Sequence, residues 1–352
     1  MGAKAFRRAI NLSLLSLTLQ SVDRLQAQTA EDFYSSHSLT LLIPSSTGGI
    51  NDLAGRVVAE HLGRFIPGHP KIVPENSSNA SGAVLANRIY NDAPRDGSTI
   101  AIIERAVPQL AVQGHPDVRF DPLKMNWLGS LSSYENDAFM LAVNVTNPVK
   151  TIADLKSSTT LIRLGAMGPG ITNLTFAILS KQLLGLNVDV AGGYSGAAPI
   201  FAAMRRGDVD GQVIGLGSLK GSQRSLWENR QVRPLVQFAR RTRLPELADV
   251  PTGRELLTNT KDLALLEFAE QPFFMALPFV APPGVPADRL KVLREAFMAM
   301  TRDAAYRAAA EKASLEVSPI DGAAIEKLLS LSAATPKDVI THYNEITGSL
   351  QR

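Results

Sequence analysis

Three glycine-rich stretches each follow a short apolar run and pass directly into a helical pattern, an arrangement suited to holding an anion on backbone N–H groups. The first is Ser45-Ser46-Thr47-Gly48-Gly49-Ile50-Asn51, entered from the apolar run Leu39 to Ile43. Leu53, Val57, Val58, His61, Leu62 and Phe65 then recur at helical spacing, which predicts a helix starting near Asn51 or Asp52. The second runs from Gly165 to Asn173, between a strand at Leu161 to Leu164 and a helix at Leu174 to Leu184 that Gly185 is placed to end. A third leads from Val188 to Val190 through Gly192 to Ala198, and reaches Pro199, a favoured first-turn residue, before Ile200 to Arg206 and Gly207. The first N–H groups of a helix lack intrahelical partners and the aligned peptide dipoles leave partial positive charge there, so a carboxylate or phosphate is stabilised at such a point. Glycine-rich turns after strands also occur where nothing binds. Two of them in separate parts of one chain, however, supply half-sites that can face each other.

Arg105, just past the strand that ends at Ile103, is a candidate cation for a second carboxylate, with solvated surface as its alternative role. Asp52 is expected to cap the first helix rather than touch a ligand, because its charge repels an acid. Enzymatic constellations are missing. The five histidines, His37, His61, His69, His115 and His342, show no paired metal-ligand spacing, so no metal is expected. Gly193-Tyr194-Ser195-Gly196 lacks the second glycine of a nucleophile elbow, since Ala197 stands there. Gly215-Leu216-Gly217-Ser218-Leu219-Lys220-Gly221 has one residue too many for a dinucleotide turn, and Phe238 and Ala239 occupy the region where a ribose-binding acid would lie. No glycine loop is followed by a phosphate-binding lysine, and a turn between helix and strand explains Asp208 and Asp210. No cofactor is expected.

The chain has 352 residues, enough for two domains, and its 45% hydrophobic content is ordinary for a globular protein. Lys4, Arg7 and Arg8 precede an apolar run from Ile10 to Leu19 and then Leu25-Gln26-Ala27, the pattern of a secretory signal over residues 1–28. That run is too short to span a bilayer, which takes about 20 apolar residues. The formal charge of +3 comes from this segment, which carries four basic side chains (Lys4, Arg7, Arg8, Arg24) and one acid (Asp23). The remainder, with 32 of each sign, offers no field that would gather nucleic acid. There is no cysteine, which removes disulfides, thiolate nucleophiles and cysteine-bound metals together.

From Leu39 the pattern alternates strand and helix: Lys71 to Pro74 as strand, Ala83 to Tyr90 as helix, Thr99 to Ile103 as strand. That alternation predicts an α/β fold with a mainly parallel sheet flanked by helices. A second such sheet is expected over 138–270, from the apolar run Ala138 to Val145 through Gly211 to Leu216 and Val232 to Phe238. Phe273 to Val280 reads as a long returning strand, followed by Pro282-Pro283-Gly284-Val285-Pro286, a helix over Ala287 to Met300 and a helical tail. The expected division is a first domain of 38–137 plus 271–352 and a second of 138–270. Two crossings make a hinge, and the cleft beside it is a natural binding place.

Several stretches, read in order, resemble the extracytoplasmic solute receptors of tripartite tricarboxylate transporters. They are Ile43-Pro44 with Gly48-Gly49 and Asp52; Glu75-Asn76 with Gly82; Ala93-Pro94 with Asp96-Gly97; Gly165, Gly168 and Gly170; Tyr194, Gly196 and Pro199; Gly207-Asp208-Val209-Asp210; Leu247 with Asp249 to Thr252; and Val280 to Ala287. The resemblance implies a two-domain, type II-like periplasmic-binding-protein clamshell that grips an organic acid. On that basis Ser45, Ser46, Thr47, Gly48, Gly49, Ile50 and Asn51 form one jaw. Gly168, Gly170, Ile171, Thr172 and Asn173 form the other, with Tyr194, Ser195, Gly196 and Ala197. Ser45, Ser46 and Ser195 depart from the family pattern, which often has an aromatic, a proline and a lysine at these places.

The expected function is therefore a periplasmic, monomeric solute-binding protein that is not an enzyme. It passes a small organic carboxylate to the membrane subunits of a transporter. The alternatives are an exported sensor component and, from another class, a secreted hydrolase.

Overall fold

The computed structural model describes residues 28–44, 50–77, 82–157, 159–168 and 171–348. The expected export signal lies outside them but for its last residue, as do Ser45, Ser46, Thr47, Gly48 and Gly49 of the first loop and Gly170 of the second.

The chain begins with α1 (Ala30–Ser36), β1 (Leu39–Ile43), α2 (Ile50–His61), β2 (Ile72–Asn76), α3 (Gly82–Asn91), β3 (Thr99–Ile102), α4 (Val107–Gln113) and β4 (Asn126–Ser130). It then crosses to β5 (Phe139–Asn144), α5 (Ile152–Ser157), β6 (Ile162–Gly165), α6 (Thr172–Gln182), β7 (Val188–Ala191) and α7 (Ala197–Arg206). There follow β8 (Gly211–Gly215), α8 (Leu216–Ser222), α9 (Arg224–Glu228), β9 (Val232–Phe238) and α10 (Thr260–Glu270). A second crossing returns it to β10 (Pro278–Ala281), α11 (Ala287–Met300), α12 (Ala304–Lys312), β11 (Ile320–Asp321), α13 (Gly322–Ala333) and α14 (Lys337–Thr347).

Two sheets result, in the orders β11-β4-β10-β3-β1-β2 and β7-β6-β8-β5-β9. Their plan is the same. In each, the strand that has just crossed from the other unit, β10 or β5, runs antiparallel between two strands of opposite direction. The other strands of the second sheet run one way, as do β1 to β4 of the first, so the sheets are mainly like-directed as expected, and mixed through the strand that enters at each crossing and the short β11. Both faces of each sheet are covered, which is why the strands read as apolar runs rather than alternating ones. In β1, Leu39, Leu41 and Ile43 enter one core while Leu42 enters the core on the opposite face.

The returning segment is not one long strand. Gln271–Met275 is a turn of 3-10 helix, and only Pro278–Ala281 is strand. Phe273 is fully buried in the core of the second sheet and Phe279 in that of the first, and a straight strand cannot fill both. Pro272, which has no N–H to give a ladder, stands second in the turn. The two units also touch through helices. Gln109 of α4 donates to the carbonyl of Phe268 in α10 at 2.5 Å, and Asn344 of α14 donates to that of Gln113 at 3.2 Å. Val339 and Tyr343 of α14 lie in the core shared with α6 and α10, so the last helix packs on the second sheet's side.

Glu270, the last residue of α10, has no exposed surface and accepts from Arg254 Nε at 2.8 Å and from the N–H of Ala239 at 2.9 Å. Burial pushes its carboxyl up to about 7 even with the guanidinium present. Arg254→Ala strands that acid and is expected to cost about 3–5 kcal/mol at pH 8, where the native carboxylate is charged and the variant must bury that charge alone or take up a proton. The loss shrinks at pH 5, because the acid, whose pKa the fold raises, is then protonated and needs no partner. Urea titrations at the two pH values check this, and an equal loss at both contradicts it.

Candidate functional site

The crossings join the sheets at the carboxyl ends of their like-directed strands: Phe279 pairs with Ile102 at the end of β3, and Phe139 with Gly215 at the end of β8. Ligands of open α/β sheets bind outside those ends, where the following helices begin. The starts of α2, α6 and α7 all lie there, each after a glycine-rich loop.

Side chains tie these starts to one another. Asn51, second in α2, donates to Glu104 Oε1 at 2.5 Å, and the neighbouring Arg105 donates through Nη2 to Thr172 Oγ1 at 2.9 Å. Thr172 is the first residue of α6, so this chain of contacts runs from the first sheet's jaw to the second's. Arg105 is held from below: its guanidinium carbon lies 4.0 Å from the centre of the Phe273 ring and 5.8 Å from those of Tyr134 and Phe139. Flat cations favour such ring faces, and the stack fixes the guanidinium without neutralising it. Burial raises the Glu104 carboxyl above its ordinary range, opposed by Arg105 and by the bond from Asn51.

In the second sheet's jaw the loops are braced by their own backbone. Ala166 N–H donates to Ala191 at 2.8 Å, and Tyr194 N–H to Ala166 at 3.1 Å. Asn173 is buried; its Oδ1 accepts from Met167 N–H at 2.8 Å and its Nδ2 donates to the carbonyl of Val213. It therefore positions the loop through its side chain and does not cap α6. Ile171 and Gly196 hold the cap positions of α6 and α7 without a side-chain cap, and neither first turn contains an acid. A β-carbon added at Gly168 or at Gly193 would meet nothing within 4 Å, so the loops border open space. Ser195 is exposed, Tyr194 half-buried against the core beneath α7, and Ala197 opens that helix. Ile50 and Ile171, 49% and 44% exposed, add apolar surface at the starts of α2 and α6.

Asp52 lies inside the first turn of α2 rather than ahead of it. It is the third residue of α2, 1% exposed, and its carboxylate takes an ion pair from Arg56 at 2.9 Å and a hydrogen bond from Asn76 at 2.8 Å. Sequence reasoning passed over Glu104, although it adjoins Arg105, and over the aromatic floor, whose rings come from distant points in the chain. It also missed Asp137 in the first crossing. Asp137 Oδ1 accepts from the N–H groups of Ala138 at 2.7 Å and Gly217 at 2.9 Å, tying the crossing to the start of α8. Arg240 grips the same crossing through the carbonyl oxygens of Tyr134, Glu135 and Asp137. Tyr134 adopts φ 62°, a left-handed conformation costly for an aromatic residue and retained where surrounding contacts enforce it. Among the described residues no group of three or more acids or histidines could hold a metal.

The paired sheets with a reversed strand at each crossing define a two-lobed solute-binding fold. A TctC solute-binding protein of Polaromonas, solved without ligand, shares it at a TM-score of 0.64 and 18% identity, over 88% of this chain and 99% of that one. So does a protein of R. palustris solved with adipate, at a TM-score of 0.64 and 20% identity over 89% and 98% of the two chains. Residues 54–344 match the tripartite tricarboxylate transporter family receptor, and the chain belongs to that family. A UPF0065 protein of Cupriavidus necator is 31% identical over 129 residues, which is 36% of this chain and only 37% of that relative's length.

Burial, opposed by its two backbone bonds, raises the Asp137 carboxyl to about 6. An acid whose folded pKa is raised loses stability as pH climbs from its unfolded value through the folded one. Asp137→Asn keeps the accepting oxygen and removes the charge. The variant is expected to gain on the native protein by up to about 3 kcal/mol between pH 4 and pH 7.5. Melting temperatures across that range check it, and parallel curves contradict it.

Proposed function

We propose that this protein is a periplasmic receptor that captures a small organic carboxylate between two lobes and passes it, chemically unchanged, to the membrane subunits of a tripartite tricarboxylate-type transporter. The lobes are 38–137 with 271–352, and 138–270, the final helix reaching across the division. It acts as a monomer, after an N-terminal signal has directed its export. The observation that carries the reading is the contact of Arg105 with Thr172, which brings the carboxyl end of β3 against the uncapped start of α6. The solved relative holding adipate, an acid with two carboxylates, supports the ligand class.

The ligand carboxylate accepts from the first backbone N–H groups of α6 and α7, with Ser195 and Thr172 as hydroxyl donors and Arg105 as a fixed cation. Ser45, Ser46, Thr47, Gly48, Gly49 and Gly170 complete the two loops, and Ile50 and Ile171 cover its carbon chain. Hydrogen bonds to a charged group contribute about 1.5–3 kcal/mol each. Four of them, less the ordering costs, reach the roughly 8 kcal/mol of micromolar binding. Closure follows because a ligand touching both lobes binds the closed form better than the open one.

Gly168→Val places a side chain in open space at the mouth of the second loop, so the fold is left alone while the ligand's approach is blocked. With an acid chosen by a thermal-shift screen, the variant is expected to bind at least tenfold more weakly at an unchanged melting temperature. Small-angle scattering of the native protein with that acid should show compaction. Unaltered affinity, or an unchanged profile at saturation, contradicts the reading.

A further inference from the structure

The two jaws are electrically unlike. On the second lobe, α6 and α7 start at the carboxyl ends of paired strands, on opposite faces of the sheet, with no acid in either first turn and no side-chain cap. On the first lobe, α3 and α4 also start without an acid in the first turn, but the start of α2 has Asp52 within it and Glu104 bonded to its second residue. Asp52 is neutralised by Arg56 and turned toward Asn76. Glu104 has no ion pair: among the described residues its carboxylate's one hydrogen-bond partner is the uncharged amide of Asn51, and Arg105 acts on it through its charge alone. Arg105, its neighbour, is directed instead at Thr172 and the face of Phe273. A second ligand carboxylate brought to the start of α2 would therefore meet a half-buried acid bonded to the second side chain of that helix. Like charges at such range oppose one another strongly where water is scarce.

We propose that Glu104 sets the polarity of the bound ligand: the carboxylate lies on the second lobe, and the far end, facing Glu104, is a hydrogen-bond donor, an ammonium group above all. The preferred substrates are then amino carboxylates rather than dicarboxylates of equal length. This rests on the cleft reading above and adds a direction to it. The open oxygen of Glu104 accepts from the ammonium group, and the charge the cation brings compensates the burial that otherwise disfavours the carboxylate.

Calorimetry with matched pairs tests it: succinate against β-alanine, glutarate against γ-aminobutyrate, adipate against δ-aminovalerate. The native protein is expected to prefer the amino member of its best-fitting pair by tenfold or more. Glu104→Gln keeps an oxygen for Asn51 but loses the charge, and should lower that preference at least tenfold, with the melting temperature reporting that the fold is intact. A native preference for the dicarboxylate, or a ratio that the substitution leaves alone, overturns the role of Glu104 while leaving the carboxylate receptor standing. Binding of none of the six probes overturns the receptor reading, and this inference with it. The native panel decides the matter even if the variant does not fold.

Discussion

A helix that begins at the carboxyl end of a parallel strand has N–H groups that no residue of its own helix can satisfy, and the molecule is organised around where those groups point. Parallel pairing of β6 with both β7 and β8 puts the starts of α6 and α7, which lie on opposite faces of the second sheet, at the same strand ends. Pairing of β1 with β3 does the same for the start of α2 and the Glu104-Arg105 pair. The reversed strands then bring the two sets together, because β10 and β5 can return the chain only beside the same ends. Backbone geometry thus supplies most of the proposed anion site before any side chain is considered.

The side chains that matter most hold other groups in place. Asn173 spends its whole amide on the loop backbone, Asp137 on the crossing, and Arg240 on three carbonyl oxygens of that crossing. Ser318 receives the N–H groups of Ser133 and Glu135 from the other side, at 2.9 Å and 3.4 Å. A crossing gripped from both sides bends at few places, which suits the hinge that the proposed function requires. Tyr134, left-handed and wedged under Arg105, couples that hinge to the cleft.

Much of this was legible in the sequence because it depends on local pattern. The glycine loops mark where strands give way to helices, and helix limits such as Ala287–Met300 follow from periodicity and flanking prolines. What was not legible depends on contacts between distant residues. Phe273 reads as strand because its neighbours are apolar, yet its ring is needed in the second core while the chain is already turning toward the first. Asp52 reads as a cap because acids favour helix starts, and only the fold brings Asn76 beside it. Glu104 carries no pattern of its own; its meaning comes from Asn51, which stands on a different element.

The central claim is that a carboxylate rests on main-chain N–H groups at the starts of α6 and α7, opposite the start of α2. A crystal structure with a bound acid tests it most directly. The account predicts carboxylate oxygens within about 3 Å of N–H groups from the first turns of α6 and α7, with Arg105 alongside. A carboxylate lodged elsewhere, for instance in the groove that Lys220, Arg224 and Arg307 share with the first crossing, would contradict it.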